Sequence, residues 1–210
     1  MANPHNPACR QCRREGVKLF LKGAKCVGDR CTFTKRNATP PGQHGMARRR
    51  RISEYGIQLR AKQRGRRIYG VLDTQFENYF DSASARKGVT GTVLLQMLEQ
   101  RLDNVVYRAG FASSRREARQ LVSHRHFQVD GKTVNIPSYQ LRAGQVVQVR
   151  ERSREIEPIR RSVEFRGGQA VPSWLSLYAP ELRVEVTRQP ERGEMETSID
   201  EQLIVEYYSR

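Results

Sequence analysis

What this 210-residue chain has little of narrows its chemistry before any motif is considered. No apolar run approaches the roughly 20 residues that a membrane-spanning helix needs. Residues 1–24 hold no apolar stretch of the kind that leads an exported chain. Histidines number four, scattered at His5, His44, His124 and His126, and neither an H-E-x-x-H nor a G-x-S-x-G pattern occurs. Gly131-Lys132-Thr133 has the ending of a phosphate-binding loop, but His126 stands where that loop needs its first glycine, and the triplet falls in a hairpin pattern. Nothing assembles a nucleophile or a base, so the expectation is a binding protein and not an enzyme. Apolar residues are scarce too: 37% of the chain, against about 45–50% in an ordinary domain, which predicts modest cores and wide polar faces.

Acidic residues are outnumbered 22 to 38 by lysine and arginine, for a net charge of +16. The partner expected of such a chain is a polyanion. Lysine itself is rare, 7 against 31 arginines. Lysine would serve for solubility, whereas the planar guanidinium presents a fixed fork of donors to phosphate and stacks on bases. That bias favours nucleic acid over a membrane surface, which would call for a basic amphipathic helix or a lipidation site.

Beyond residue 31 there is no cysteine at all; Cys9, Cys12, Cys26 and Cys31 are the whole set. Random scatter would crowd four cysteines this way on the order of once in two thousand sequences, so the cluster needs a physical reason. C-x2-C, thirteen residues, then C-x4-C makes two chelating pairs suited to a tetrahedral ion, and soft thiolates select zinc first and an iron–sulfur cluster second. Two disulfides would require an exported protein. A thioredoxin-like pair would sit in an apolar strand-to-helix turn, not among Arg10, Arg13 and Arg14.

Along the chain, residues 1–45 read as irregular and metal-organised, ending in Pro40-Pro41-Gly42-Gln43-His44-Gly45. Arg48-Arg49-Arg50-Arg51 lead into a basic helix with a frayed apolar stripe at Ile52, Tyr55, Ile57 and Leu59, followed by Lys62, Arg64, Arg66 and Arg67. Phe76, Tyr79, Phe80 and Ala83 recur at helical spacing over 73–86. From Thr92, Leu94, Leu95, Leu98 and Leu102 form one stripe that Val105, Val106 and Ala109 continue. Ser114-Arg115-Arg116-Glu117 has the form of a capping box, with Ala118, Leu121 and Val122 facing inward and Arg115, Arg116, Arg119 and Ser123 on the other side. Asp130-Gly131 between Phe127–Val129 and Thr133–Asn135 predicts a type I′ hairpin, and Val146–Val149 a further strand. Thus 92–150 reads as helices followed by strands. After Gly167-Gly168, Leu182, Val184 and Val186 alternate as a half-buried strand, and Ser198 with Glu201 signals a last helix carrying Leu203, Ile204 and Tyr207. The fold class expected is α+β.

Three stretches, Cys9–Gly16, Lys18–Gly23 and Pro40–Gly45, resemble the opening of the family of the bacterial fourth protein of the small ribosomal subunit. Residues 98–108 through 129–131 resemble the RNA-binding module named after that family, and Gln202–Arg210 resembles its terminus. The chain departs from the family pattern at residues 2–7 and 37–39.

The resemblance implies a cytoplasmic ribosomal component that binds small-subunit ribosomal RNA directly at a multi-helix junction of the 5′ domain and starts subunit assembly. It also implies contact with the fifth small-subunit protein, a place beside the mRNA entry path, and an influence on decoding accuracy. It implies an inserted module over 92–163 and a discontinuous, mostly helical domain over 46–91 plus 164–210, next to a metal-binding segment over 1–45. RNA contacts are expected from Arg10, Arg13, Arg14 and Lys22, from Arg48, Arg49, Arg50, Arg51, Lys62, Arg64, Arg66 and Arg67, and from Arg115, Arg116, Arg119 and Ser123. Two other classes compete. An RNA-modifying enzyme that borrowed the module lacks catalytic residues, and a zinc-dependent DNA-binding regulator would place its recognition helix directly after the metal ligands.

Overall fold

A computed structural model describes residues 7–35, 39–46, 51–166, 171–196 and 198–210. Arg48, Arg49 and Arg50, Gly167-Gly168 and the departures at 2–6 and 37–38 lie outside the described residues. The chain divides into two compact units, residues 1–94 with 197–210, and residues 95–196, the division falling within one helix.

The first unit is helical. Short helices α1 (Ala8–Glu15), α2 (Ala24–Val27) and α3 (Thr32–Lys35) open it, so the segment expected to be irregular has local order of its own. Long helix α4 (Glu54–Tyr69) starts where Ser53 Oγ accepts the amide of Gly56, which puts Arg51 ahead of the helix and not on it. Its buried stripe also differs from the expected one: Gln58, Ala61, Gly65, Ile68 and Tyr69 face inward, while Ile52, Tyr55 and Ile57 are exposed. The apolar residues near the start of α4 are out of phase with the residues that the helix buries. Helix α5 (Asp73–Ser84) buries Phe76 and Ala83 as its periodicity predicts.

Helix α10 (Glu201–Tyr208) returns from the far end of the sequence to lie on α4. Ile204 is buried, and a Cβ on Gly65 would sit at ordinary contact distance, 3.6 Å, from both Ile204 Cδ1 and Phe76 Cζ, which marks Gly65 as the point where α4, α5 and α10 meet. Phe80 stacks on Tyr208 at 4.4 Å. The cap of α10 is Asp200, whose carboxylate accepts the amides of Gln202 and Leu203, and not Ser198; the acid sits at the N-cap itself and also complements the helix dipole.

The second unit is α+β. Helix α6 (Thr90–Glu99), which the unit division splits, is followed after a break at Gln100-Arg101 by α7 (Leu102–Arg108), so the single apolar stripe expected from Leu94 onward belongs to two helices. Then come α8 (Arg115–Ser123), β1 (Phe127–Val129), β2 (Lys132–Thr133), β3 (Val146–Val149), α9 (Glu157–Arg166), β4 (Leu175–Tyr178) and β5 (Arg183–Val186). The strands form one antiparallel sheet in the order β2-β1-β3-β5-β4. Asp130 (φ 48°) and Gly131 (φ 77°) both take positive φ, as a type I′ turn demands. Pairing of Val147 with Val184 and of Leu175 with Val186 joins β4 and β5 to the module's sheet. Residues 164–196 therefore belong to the same unit as the module, because Val184 and Val186 are buried in the same core as Val147 and Phe127.

Candidate nucleic-acid interface

The expected basic residues fall into two physical classes. Arg10, Arg14, Lys22, Arg51 and Arg116 are exposed. The other described ones are partly covered and committed to partners in the protein. On α4, Lys62 and Arg66 both reach Asp73, at 3.2 and 3.1 Å, with side chains 12% and 16% exposed. Arg64 donates to the Ser198 carbonyl at 3.1 Å. Arg67 contacts Glu15, whose side chain has no exposure, and Arg60 joins it at 3.2 Å; burial first, and then the charges of Arg60, Arg66 and Arg14, hold the Arg67 guanidinium below its ordinary value, against a raising effect of Glu15. Arg13 donates to the Thr39 carbonyl at 3.4 Å.

The face of α8 departs most from expectation. Arg116 is exposed, but Arg115 has a side chain only 9% exposed, lies 4.6 Å over the Tyr107 ring and donates Nε to Asn104 Oδ1 at 2.7 Å. Arg119 donates Nε and Nη2 to Asp103 Oδ2 at 3.0 and 2.8 Å. Ser123 donates its hydroxyl to the Arg119 carbonyl. The serine half of the capping box forms as expected, with Ser114 Oγ accepting the Glu117 amide; only the return bond is displaced by one residue, Glu117 accepting from the amide and hydroxyl of Ser113. Sequence reasoning placed Arg115 and Arg119 outside because Ala118, Leu121 and Val122 define the inner face; it missed that their long side chains bend toward buried polar groups, the Asn104 amide and the Asp103 carboxylate.

Those groups belong to a buried polar cluster that the sequence reading overlooked. Glu99, Arg101, Asp103 and Asn104 are all buried. Arg101 forks onto Asp103, Nε to Oδ1 at 3.0 Å and Nη2 to Oδ2 at 2.8 Å, so two guanidiniums share one carboxylate. Glu99 takes Arg108 in a bidentate pair at 3.1 and 2.6 Å and Asn104 Nδ2 at 2.6 Å. Charged residues embedded between Leu98, Leu102 and Val105 were the available signal.

The four cysteines are free thiols, with Cys12, Cys26 and Cys31 buried and Cys9 half-buried. Cys26 Sγ accepts the Lys22 amide at 3.3 Å. Burial raises the Cys12 thiol, as do the charges of Cys26, Cys9 and Cys31, against a lowering bond from the Leu19 backbone. Burial also raises Cys26. For Cys31 burial acts the same way but is outweighed by backbone bonds from Thr34 and Phe33, and its thiol is lowered. The donor chemistry suits a soft metal: four thiols influence one another, and amides aim at sulfur. Among the described residues, however, no three metal-capable side chains are gathered closely enough to hold an ion as they stand.

Comparison with known proteins carries the rest. Residues 4–99 match the family model described as Ribosomal protein S4/S9 N-terminal domain, and residues 100–147 match the S4 domain. The chain is 60% identical over 210 residues to a small ribosomal subunit protein uS4A of Symbiobacterium thermophilum, covering all of both chains. It is 54% identical over the same full length to small ribosomal subunit protein uS4 of Dictyoglomus turgidum. It is 52% identical to that of Thermus thermophilus, covering 97% of each chain.

Proposed function

Since the chain belongs to the uS4 family of small ribosomal subunit proteins, we propose that it binds small-subunit ribosomal RNA directly, at a multi-helix junction of the 5′ domain, and nucleates subunit assembly there. It is a structural constituent of the small subunit in the cytoplasm, not an enzyme, and its S4 domain is an RNA-binding module. The observation that carries the reading is end-to-end likeness to relatives of that one name, joined to a net charge of +16. Structured RNA hides its base edges, so a protein that grips it reads phosphates, 2′-hydroxyls and the shape of junctions. Exposed Arg10, Arg14, Lys22, Arg51 and Arg116 supply phosphate contacts, with Arg48, Arg49 and Arg50 beside Arg51 in the sequence. The half-buried Arg13, Lys62, Arg64, Arg66 and Arg67 hold the first unit together and lend it long-range positive potential. The fifth small-subunit protein and the incoming mRNA are the neighbours that this placement gives it, with an effect on decoding accuracy.

Cys9, Cys12, Cys26 and Cys31 would hold a zinc ion, with an iron–sulfur cluster as the other soft-thiolate option. A bound ion there would supply folding free energy to a segment with few apolar residues, and no other chemistry. Elemental analysis of the purified protein tests this: about one zinc per chain is the expected result, and a metal-free, folded protein removes the proposal. For the ribosomal role, sedimentation of a lysate is decisive. The protein is expected to travel with small subunits; a free pool at the top of the gradient contradicts the assignment.

A further inference from the structure

Arg115 and Arg119 sit one turn apart on α8, and each is tied down by a polar group buried in α7. Arg119 forks onto Asp103 Oδ2 and Arg115 gives its Nε to Asn104 Oδ1. Neither anchor is loose. Asp103 is simultaneously gripped by Arg101, which is 1% exposed, and Asn104 is held by the backbone carbonyl of Glu99 at 2.9 Å and by its carboxylate, which Arg108 grips in turn. Glu99, Arg101, Asp103 and Asn104 are all buried, Arg115 and Arg119 are half-buried against them, and Arg116 with Gln120 is exposed one residue further round the helix.

Resting on the RNA-binding reading above, we infer that Asp103, Asn104, Arg115 and Arg119 are positioning residues, which fix the rotation and tilt of α8 so that Arg116 meets phosphate. A guanidinium so held, Arg119 by two nitrogens on the shared Asp103 carboxylate and Arg115 by Nε on the neutral Asn104 amide, has to leave its partner before it can take up a phosphate when RNA arrives. What it does instead is remove freedom from α8 before binding, so that the ordering cost is not met at the moment of contact. Arginine suits this post and lysine does not, because only the planar fork fixes an angle as well as a distance.

Two roles for an arginine separate in the salt dependence of binding. A residue on phosphate contributes to the slope of log affinity against log salt, about 0.7–0.9 for each phosphate neutralised. A positioning residue alters affinity at constant slope. The test is filter binding of the full chain to purified small-subunit ribosomal RNA across a salt series, for the wild type, Arg116→Ala, Arg119→Met and Asp103→Asn, each checked for folding by circular dichroism. Arg116→Ala should weaken binding and flatten the slope by about 0.7–0.9. Arg119→Met should weaken binding severalfold with the wild-type slope, and a folded Asp103→Asn should behave the same way. A flattened slope in Arg119→Met overturns the inference, as does unchanged or tighter binding by folded Asp103→Asn, since releasing Arg119 would then help it to reach RNA. If Asp103→Asn does not fold, Arg119→Met decides alone, its side chain being 26% exposed and Arg101 remaining on Asp103. Failure of the wild type to bind with any salt dependence sinks the RNA-binding reading itself, a result distinct from either of these.

Discussion

Residues 7–46 and residues 95–196 keep their order by different means. The later region buries a continuous set of apolar side chains, among them Phe111, Phe127, Trp174, Val184 and Val186, between helices and a five-stranded sheet. Among its described residues the earlier one buries only Ala8, Leu19 and three cysteine side chains as its apolar content, and it is tied to α4 by the carboxylate of Glu15 between Arg60 and Arg67. Apolar burial is non-directional and scales with area, so it tolerates small shifts. A buried ion pair is directional, and losing one partner strands the other. The difference teaches that the chain's positive charge is also internal structure: Arg60, Arg67, Arg101, Arg108 and Arg119 each meet an acid.

The comparison breaks most readily at the core. Phe127→Ala should cost about 3–5 kcal/mol in urea unfolding of the 95–196 unit, because a fully buried ring leaves a cavity in a sheet-backed core. A loss under about 1 kcal/mol would show that this core collapses freely around the gap. Glu15→Gln comes next, at about 1–3 kcal/mol: the partners Arg60 and Arg67 keep 27% and 18% exposure, so water takes up part of what a fully buried pair would lose. Limited proteolysis should show cleavage within residues 7–46 while residues 95–196 stay resistant. Cutting in both regions at once would mean that they do not differ as described.

Cys26→Ser should act on the same segment more gently, loosening the first 45 residues, and lowering the zinc content that the proposed site would give, without changing the unfolding of the later unit. Loss of the whole fold would contradict the division of labour. The smallest effect concerns Glu194. Partial burial pushes its carboxyl up, but bonds from Ser173, the Glu191 backbone and Arg188 hold it down to about 2. A folded value below the ordinary 4.5 means that the stabilisation is present above pH 4.5 and drains away as pH falls toward 2. Glu194→Gln should flatten the stability profile between those values, and an unchanged acid limb would show the Arg188 pair to be without weight.

Local order was legible wherever the signal was local. The Asp130-Gly131 hairpin, the 73–84 helix with Phe76 and Ala83 inside, and the half-buried strand at Val184 and Val186 follow from turn chemistry and period alone. The start of α4 was not legible, because Ile52, Tyr55 and Ile57 imitate a core stripe while lying outside it. The fate of the arginines was hidden for a related reason. A helical wheel places the Cα of Arg115 and Arg119, but a flexible side chain chooses between water and a buried polar group several residues away, which only the packing of α7 against α8 brings within reach.

By itself, then, the sequence determined the α+β class, the basic character, the family and the thiols available for a metal, since each depends on residue identity and short-range spacing. Tertiary structure alone decided that β4 and β5 extend the module's sheet, that α10 closes on α4, and that several arginines spend their charge inward. Those outcomes rest on pairings between residues far apart in the chain. Their free energy depends on burial and mutual geometry, which no local pattern encodes.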